Sequence, residues 1–287
     1  MAGSVLILVA AFLWALIGVF TAQLFVEGMA PMEIAFWRAL LAGGLFIGHG
    51  LLGRHLRLRR GGDALWFGLF GVFGVALFFS AFNFAIETGG ISLAVVLLYT
   101  APAFVALLAW LILGESLGPK KVGAVALVIA GVTLVAFGGG GSGVSVSAAS
   151  LAWGLTAGLG YASFYIFGKF YLLHYHPVAI YAYVLPVAAL AILPFVEFSP
   201  KSTTAWALIA VLTLLSTYLA YLVYYLGLRN IEASKASLLA STEPVMAATF
   251  AAIFFGERLG MWGIIGAAMV VAASLLVVRR RRRVKVD

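Results

Sequence analysis

Glu243 is the side chain most able to do chemistry in this sequence, because it lies at the centre of a long apolar segment beside Pro244. A charge in such a position is costly and is therefore a functional candidate. Its carboxylate could bind the ammonium group of a small molecule, or take up and release a proton. The alternative is a structural role, in which a protonated or paired Glu243 bonds to another helix.

Tyrosines and small polar residues lie at matching depths in neighbouring apolar segments. A tyrosine hydroxyl buried in lipid needs a partner, so tyrosines in the middle of these segments should point inward. The candidate binding residues are Trp14, Ser80, Asn83, Tyr99, Thr100, Tyr161, Tyr165, Tyr218, Tyr221, Tyr225, Ser241 and Glu243. They predict a cavity with aromatic walls and few polar groups, suited to a small amphiphilic solute. The same residues could equally form hydrogen bonds between helices.

Other polar residues in the apolar segments have simpler expected roles. Arg38 could pair with Glu33 or with a substrate carboxylate, or it packs or extends toward the surface. Lys169 is predicted to extend its ammonium group to the inner surface. Four tyrosines near segment ends are predicted to form interfacial belts: Tyr171, Tyr175, Tyr181 and Tyr183.

No catalytic or metal-binding motif accompanies these residues. The sequence has no cysteine, its four histidines lack paired-ligand spacing, and the common hydrolase and nucleotide-binding motifs do not occur. We therefore predict no cofactor, no metal and no enzyme. An intramembrane enzyme would need a convergent acid and base, whereas Glu243 alone lies at mid-membrane, and a channel would need a ring of charges.

The composition is that of a membrane protein. Of 287 residues, 64% are hydrophobic and only 10% are charged, against about 25% charged in a soluble domain. Apolar runs of about 20 residues, the length of a transmembrane helix, predict ten spans. They are 4–26, 31–53, 64–86, 90–113, 119–137, 149–172, 177–196, 203–228, 232–255 and 260–278.

The positive charges predict the orientation of these spans. With the N-terminus inside, 15 of the 18 Lys and Arg residues fall on the inner side, as expected for the cytoplasmic face. Both termini are therefore predicted to be cytoplasmic. Nucleic-acid binding is excluded because the charges lie against a bilayer face. The basic tail, 279–287, anchors the last helix or binds anionic lipid headgroups.

One stretch of the chain occurs twice. Residues 92–135 and 234–277 align without a gap at an offset of 142, with 16 identities in 44 pairs. The predicted organisation is a five-helix repeat over 1–137, a glycine-serine linker over 138–148 and a second five-helix repeat over 149–278. Because five is odd, the second repeat enters the membrane the other way up, which is typical of transporters. This inversion puts Glu115 and Glu257 on opposite faces.

The repeat also contains a matched pair of prolines, Pro102 and Pro244, near the middle of their predicted helices. Each removes a backbone donor and is predicted to kink its helix, freeing the carbonyl groups of Leu98 and Ala240. Such a carbonyl is a hinge or faces the substrate, although a kink that only improves packing is the alternative. At the position before the proline the repeat breaks its symmetry, with Ala101 in one copy and Glu243 in the other.

These residues resemble the EamA-type members of the drug/metabolite transporter superfamily over nearly the whole chain. The resemblance rests on Pro102, on the run Gly114-Glu115-Ser116-Leu117, and on their copies Pro244 and Gly256-Glu257. It implies a basket-like bundle in which the fifth and tenth helices lie outside a central cavity, and transport between inward-facing and outward-facing states.

The subgroup that this chain resembles is the bacterial exporters of aromatic and other amino acids. We therefore expect a multi-pass inner-membrane exporter of amino acids, as a monomer or homodimer, with proton coupling left open. The rival within the superfamily is a multidrug, purine or nucleotide-type exporter. The fifth and tenth helices, which contain scarcely a polar group, should pack against each other or against a second molecule.

Overall fold

The computed structural model describes residues 2–137, 146–255 and 260–278, and within these ranges it is helical with no strand. The helices, numbered along the chain, are α1 (Ala2–Ala15), α2 (Ile17–Val26), α3 (Pro31–Leu52), α4 (Gly62–Leu69), α5 (Leu77–Gly89), α6 (Ile91–Leu98), α7 (Ala101–Leu113), α8 (Pro119–Phe137), α9 (Ala148–Tyr171), α10 (Pro177–Ile192), α11 (Thr203–Thr213), α12 (Ala220–Leu228), α13 (Ala233–Ala240), α14 (Glu243–Phe255) and α15 (Met261–Val278). Most of the predicted linker, the predicted outer residue Glu257 and the basic tail lie outside the described residues.

Several of these helices join end to end into longer rods. The pairs α4–α5 and α11–α12 are each joined by a π-helix, Phe70–Ala76 and Leu214–Leu219. A π-helical turn adds a residue to the α-helical repeat and is often found at functional sites. A short 3₁₀ helix, Leu193–Phe195, follows α10. The two π-helices fall at nearly corresponding positions of the two predicted repeats.

Within the residues that the structure describes, eight rods or helices are long and apolar enough to cross a membrane. They are Ala2–Val26, Pro31–Leu52, Gly62–Gly89, Leu93–Leu113, Pro119–Phe137, Pro177–Phe195, Thr203–Leu228 and Ala233–Phe254. The remaining two predicted spans are also helical. However, α9 is richer in glycine, serine and tyrosine, and the apolar part of α15 is shorter, Met261–Leu276. The fold is thus that of a multi-pass membrane protein, and the count of ten spans stays a prediction.

The helices predicted to lie outside the cavity, α8 and α15, pack against each other. Their backbones cross at two glycines, because a Cβ atom added to Gly131 would lie 2.7 Å from the carbonyl oxygen of Gly266. The expectation that these two helices pair is confirmed. They form a cluster of small apolar side chains, while the main core lies among α1, α3, α9, α10 and α12.

Contacts join four connections at one end of the bundle, which we call the basic end. It comprises residues 53–61, 114–118, 172–176 and 229–232. Here the Glu115 carboxylate accepts hydrogen bonds from the backbone N–H groups of Ala233, at 2.5 Å, and Ser234, at 3.2 Å. Lys169 donates to the carbonyl oxygens of Leu228 and Ile231 at 3.0 and 2.7 Å. Lys169 therefore caps α12 at this end.

Candidate functional site

The two interrupted rods α6–α7 and α13–α14 break at equivalent positions of the repeat. At each break a threonine, Thr100 or Thr242, donates its backbone N–H to the carbonyl oxygen three residues earlier at 3.2 Å. Its hydroxyl donates to the same oxygen, at 2.6 Å from Thr100 and 2.8 Å from Thr242. These local bonds compete with the regular helical pattern and end the first helix.

The prolines follow directly after these breaks. Pro102 and Pro244 are the second residues of α7 and α14, in the first turn, where the missing N–H costs little. The sequence predicted one kinked helix in each repeat, whereas the structure has two separate helices. The reason is that the threonine ends one helix before the proline begins the next.

Glu243 is the first residue of α14, so its carboxylate lies at a helix N-terminus, where the helix dipole favours negative charge. The hydroxyl of Tyr161, on α9, donates to Glu243 Oε2 at 3.4 Å. The hydroxyl of Tyr99, at the other break, points at the same carboxylate. The Arg38 guanidinium lies close enough for its charge to act on Glu243. Glu243 as a whole residue is half-buried.

Aromatic rings surround this carboxylate. Tyr161 stacks on Phe78 of α5, with 5.7 Å between ring centroids, and meets Tyr165 edge-on at 5.6 Å. Trp14 packs edge-on against Tyr161 at 6.4 Å and against Tyr221 at 6.0 Å. Helices α1, α5, α9 and α12 thus contribute rings to one cluster, which contains the candidate residues Trp14, Tyr161, Tyr165 and Tyr221. Phe78 was not predicted.

Arg38 is buried rather than extended to the surface, with 7% of its area exposed. Its Nε donates to the Thr217 hydroxyl at 3.1 Å, in the second π-helix, and its guanidinium lies 5.8 Å from the centre of the Phe79 ring. It does not pair with Glu33, whose carboxylate forms an ion pair with Lys201. In the described part of the chain, Arg38 thus has no ion-pair partner.

Several predicted binding residues use their polar groups elsewhere. The hydroxyls of Thr100 and Ser241 bond to carbonyls of their own helices. Asn83 Nδ2 donates to the Phe79 carbonyl of its own helix at 2.9 Å and to Met32 Sδ of α3 at 3.4 Å. Ser80 is half-buried on α5, and its hydroxyl makes no hydrogen bond to another candidate within the described residues.

The tyrosines of α12 and the preceding π-helix share a face, as their spacing predicted, but that face mostly packs on other aromatic rings. Tyr218 bonds to His49 Nδ1 at 2.7 Å. Tyr221 and Tyr225 lie 4.8 and 4.6 Å from the ring of Tyr181. The prediction that Tyr181 belongs to an interfacial belt was wrong, because Tyr181 is 0% exposed at the centre of this cluster.

Sequence reasoning missed one further feature of the site, a pair of buried donors without partners. Arg38 was a candidate from the sequence, with packing and a substrate carboxylate among its expected roles. Trp14 Nε1 and the Tyr224 hydroxyl are buried and have no hydrogen-bond partner in the described part of the chain. Their rings lie 5.0 Å apart. Unpartnered buried donors are costly.

The arrangement suits recognition of a small molecule. It offers a carboxylate, a guanidinium and tyrosine hydroxyls among aromatic rings, inside a bundle of apolar helices. The described residues contain no group of three or more His, Cys, Asp or Glu that could hold a metal ion. Together these features are those of a multi-pass membrane protein with a candidate solute site between its helices, an arrangement typical of transporters.

The chain belongs to the EamA-like transporter family, whose model matches residues 1–137 and 148–279. It is 25% identical over 276 residues to the uncharacterized transporter YwfM of Bacillus subtilis, covering 93% of this chain and 90% of that protein. It is 26% identical over 255 residues to an uncharacterized transporter of Archaeoglobus fulgidus, covering 84% of this chain and 85% of the relative. These names indicate a transporter rather than an enzyme.

A solved crystal structure has the same fold. It superposes with a TM-score of 0.81, covering 96% of this chain and 95% of the other, at 16% sequence identity. At that identity the likeness concerns the fold alone.

Proposed function

We propose that this transporter exports amino acids, chiefly those with aromatic or hydrophobic side chains, from a bacterial-type cell. The observation that carries the proposal is that two opposite charges, Glu243 and Arg38, lie near enough among aromatic rings for each to act on the other. A free amino acid is a zwitterion with an apolar side chain. The site offers one group for each part of that molecule.

The charges suggest how the substrate would lie. The ammonium group would bind Glu243, and its carboxylate would bind the guanidinium of Arg38, which has no ion-pair partner among the described residues. Charge-assisted hydrogen bonds of this kind are about twice as strong as neutral ones. The side chain would then pack on Trp14, Tyr161 and Tyr221. Both charges are held by the fold before the substrate arrives, so little ordering accompanies binding.

Alternating access between two inverted five-helix halves is the transport mechanism that we propose with this site. The contacts that each half makes with the first helix of the other half are equivalent. Helix α5 packs on α9 as α12 packs on α1, and α6–α7 pack on α9 as α13–α14 pack on α1. Such pairing supports an inverted repeat, which allows two related conformations open to opposite sides. We further propose that the basic end faces the cytoplasm, which places both termini there.

A second candidate function is export of cationic drugs or of other small metabolites. Glu243 lies among the rings of Tyr99, Tyr161 and Tyr165, and a carboxylate flanked by aromatic faces also attracts organic cations. The two functions differ in whether the positive charge of Arg38 favours binding of the substrate. An amino acid needs its positive charge, whereas an organic cation is repelled by it.

Counterflow of radiolabelled phenylalanine into vesicles containing the purified protein tests both candidates. Three competitors separate the charges: phenylalanine, phenethylamine without the carboxylate, and 3-phenylpropionate without the ammonium. We expect phenylalanine to compete best. In Arg38→Gln, phenylalanine should no longer compete better than phenethylamine. In Glu243→Gln, phenylalanine should no longer compete better than 3-phenylpropionate.

Glu87→Gln is the matched control, because Glu87 is exposed near the end of α5. It should leave the order of competitors unchanged. Flux of tetraphenylphosphonium in the absence of amino acid flux would replace the amino acid proposal with the drug proposal. An order of competitors that neither Arg38→Gln nor Glu243→Gln changes would contradict the assignment of the site.

A further inference from the structure

A cavity separate from the Glu243 site opens at the basic end. It has a volume of about 480 Å³, within the range of about 300–1,000 Å³ found for ligand pockets. Its lining residues come from two connections, the one after α3 and the one after α9. They are Arg54, His55, Arg57, Leu58, Arg59, His174, Tyr175 and His176. The lining thus contains three guanidinium groups and three imidazoles but no carboxylate.

The walls of this cavity are built by specific contacts between the two connections. His55 stacks on His176 with 4.1 Å between ring centroids and an interplanar angle of 13°. The Tyr175 hydroxyl accepts the backbone N–H of Arg59 at 2.8 Å and donates to Asp63 Oδ2 at 2.5 Å. Tyr175 thereby binds the carboxylate of Asp63, the acid that follows the arginine-rich segment. In the described residues Asp63 forms no ion pair with an arginine of the lining.

Arginines in such a connection also fix membrane orientation, but that role does not require a shared cavity. Here three guanidinium-bearing residues line one space, and in the described residues none of them forms an ion pair. Burial and the neighbouring His55, His49 and Arg229 lower the pKa of His176 below its usual value. Helix α10 begins next to His176 and adds the positive end of its dipole. An anion would relieve this concentration of positive charge.

We propose that this cavity binds a phosphate group, either as the headgroup of an anionic lipid or as free phosphate. Guanidinium groups pair with phosphate oxygens through two parallel hydrogen bonds, which makes arginine the preferred residue for this anion. Large apolar side chains are exposed beside the lining residues, at Leu51, Leu52 and Leu173. They would contact the acyl chains of a lipid whose headgroup occupies the cavity.

Two binding measurements on the purified full-length protein distinguish the sources of the phosphate. Native mass spectrometry compares the number of bound phosphatidylglycerol molecules with the number of bound phosphatidylcholine molecules. Calorimetry measures the affinity for inorganic phosphate in lipid-free detergent. The test variant carries Arg54→Gln and Arg57→Gln. The control carries Arg60→Gln and Lys120→Gln, which remove the same charge from the same end but from residues outside the lining. Arg57→Gln alone serves if the double variant does not elute as a single species.

We expect the test variant to lose about tenfold in affinity for each arginine removed, and the control to change by less than about threefold. Loss of phosphatidylglycerol binding would identify a lipid headgroup site, and loss of inorganic phosphate binding would identify a free phosphate site. Equal losses in the two double variants would overturn the proposal, because the general charge of the basic end would then explain binding. Absence of any preference for phosphatidylglycerol, together with absence of phosphate binding, would also overturn it.

Discussion

The breaks in α6–α7 and α13–α14 have the same backbone construction and differ in the side chain that follows the threonine. Thr100 and Thr242 make equivalent bonds, and a proline follows two residues later in each. Yet the first break leads into Ala101, 1% exposed in the main core, and the second into the half-buried residue Glu243 with its carboxylate. The scaffold is duplicated, whereas the chemistry is present in one copy.

The two breaks nevertheless contribute to one site. Tyr99, the last residue before Thr100, directs its hydroxyl toward Glu243 in the other break. The residue equivalent to Tyr99 in the second copy is Ser241, whose hydroxyl bonds within its own helix instead. One copy therefore supplies the donor and the other the acceptor. The two breaks thus contribute complementary groups to the candidate site.

The largest expected effect comes from giving the first break the charge of the second. Ala101 packs in an apolar cluster with Val105 and Ala109, so Ala101→Glu would bury a carboxylate without a partner. We expect a loss of about 3–5 kcal/mol in the free energy of unfolding. Thermal unfolding of the detergent-solubilised protein measures it. Ala101→Gln separates charge from size, and an equal loss in both variants would mean that volume alone distinguishes the breaks.

The next largest effect comes from removing the charge of the second break. Glu243→Gln keeps an acceptor for the Tyr161 hydroxyl but loses the ion pair with a substrate ammonium. We expect phenylalanine to bind about 10–100-fold more weakly, since a hydrogen bond to a charged group contributes about 1.5–3 kcal/mol. Equilibrium binding of radiolabelled phenylalanine measures this change.

The same variant tests whether Glu243 carries a proton. If it does, Glu243→Gln should abolish uphill export driven by a pH gradient, even at substrate concentrations that saturate the weakened site. Gradient-driven flux that persists unchanged would place the proton elsewhere or make the protein a facilitator. Glu87→Gln, at an exposed position of α5, controls for the loss of a carboxylate.

Much of this helix arrangement could be predicted from the sequence, because the length of an apolar segment and the position of a proline have local effects. The membrane-spanning segments and the pairing of α8 with α15 could be predicted, since both depend on where apolar and polar side chains lie along the sequence. Glu243, Tyr161 and Trp14 could be predicted as neighbours, because buried polar groups in a bilayer seek one another. The breaks at Thr100 and Thr242 were missed, since a threonine hydroxyl can bond within a regular helix or end it.

The remaining errors concern rotation about a helix axis, which a single sequence encodes weakly. Tyr181 lies near the start of α10, where interfacial tyrosines are common, but its ring turns inward to Tyr221 and Tyr225. Arg38, for which the sequence left packing open, also turns inward, to meet Thr217. In both cases the partners are distant in sequence. The inward rotation depends on a tertiary contact that no local pattern reveals.

A smaller expected effect comes from a matched pair of variants, one at each break. They test whether the threonine hydroxyl stabilises the backbone equally at both breaks. Thr100→Val and Thr242→Val keep the side-chain shape but remove the hydroxyl that bonds to the carbonyl of Leu97 or Leu239. Each should lower the free energy of unfolding by about 1 kcal/mol, measured by thermal unfolding. Thr133→Val is the control, because its hydroxyl makes the same kind of bond within unbroken α8. A loss confined to one break would show that the other is held by packing instead.

The smallest effect tests whether the first break acts on substrate through the second. Tyr99→Phe and Tyr161→Phe each remove a hydroxyl directed at Glu243, and the Tyr161 bond is long at 3.4 Å. We therefore expect each to weaken phenylalanine binding only about two- to fivefold. In a Glu243→Gln background the same changes should have less effect, because the charge that strengthens both bonds is gone. Equal effects in both backgrounds would mean that the tyrosines contact the substrate independently, and that the two breaks are neighbours without being coupled.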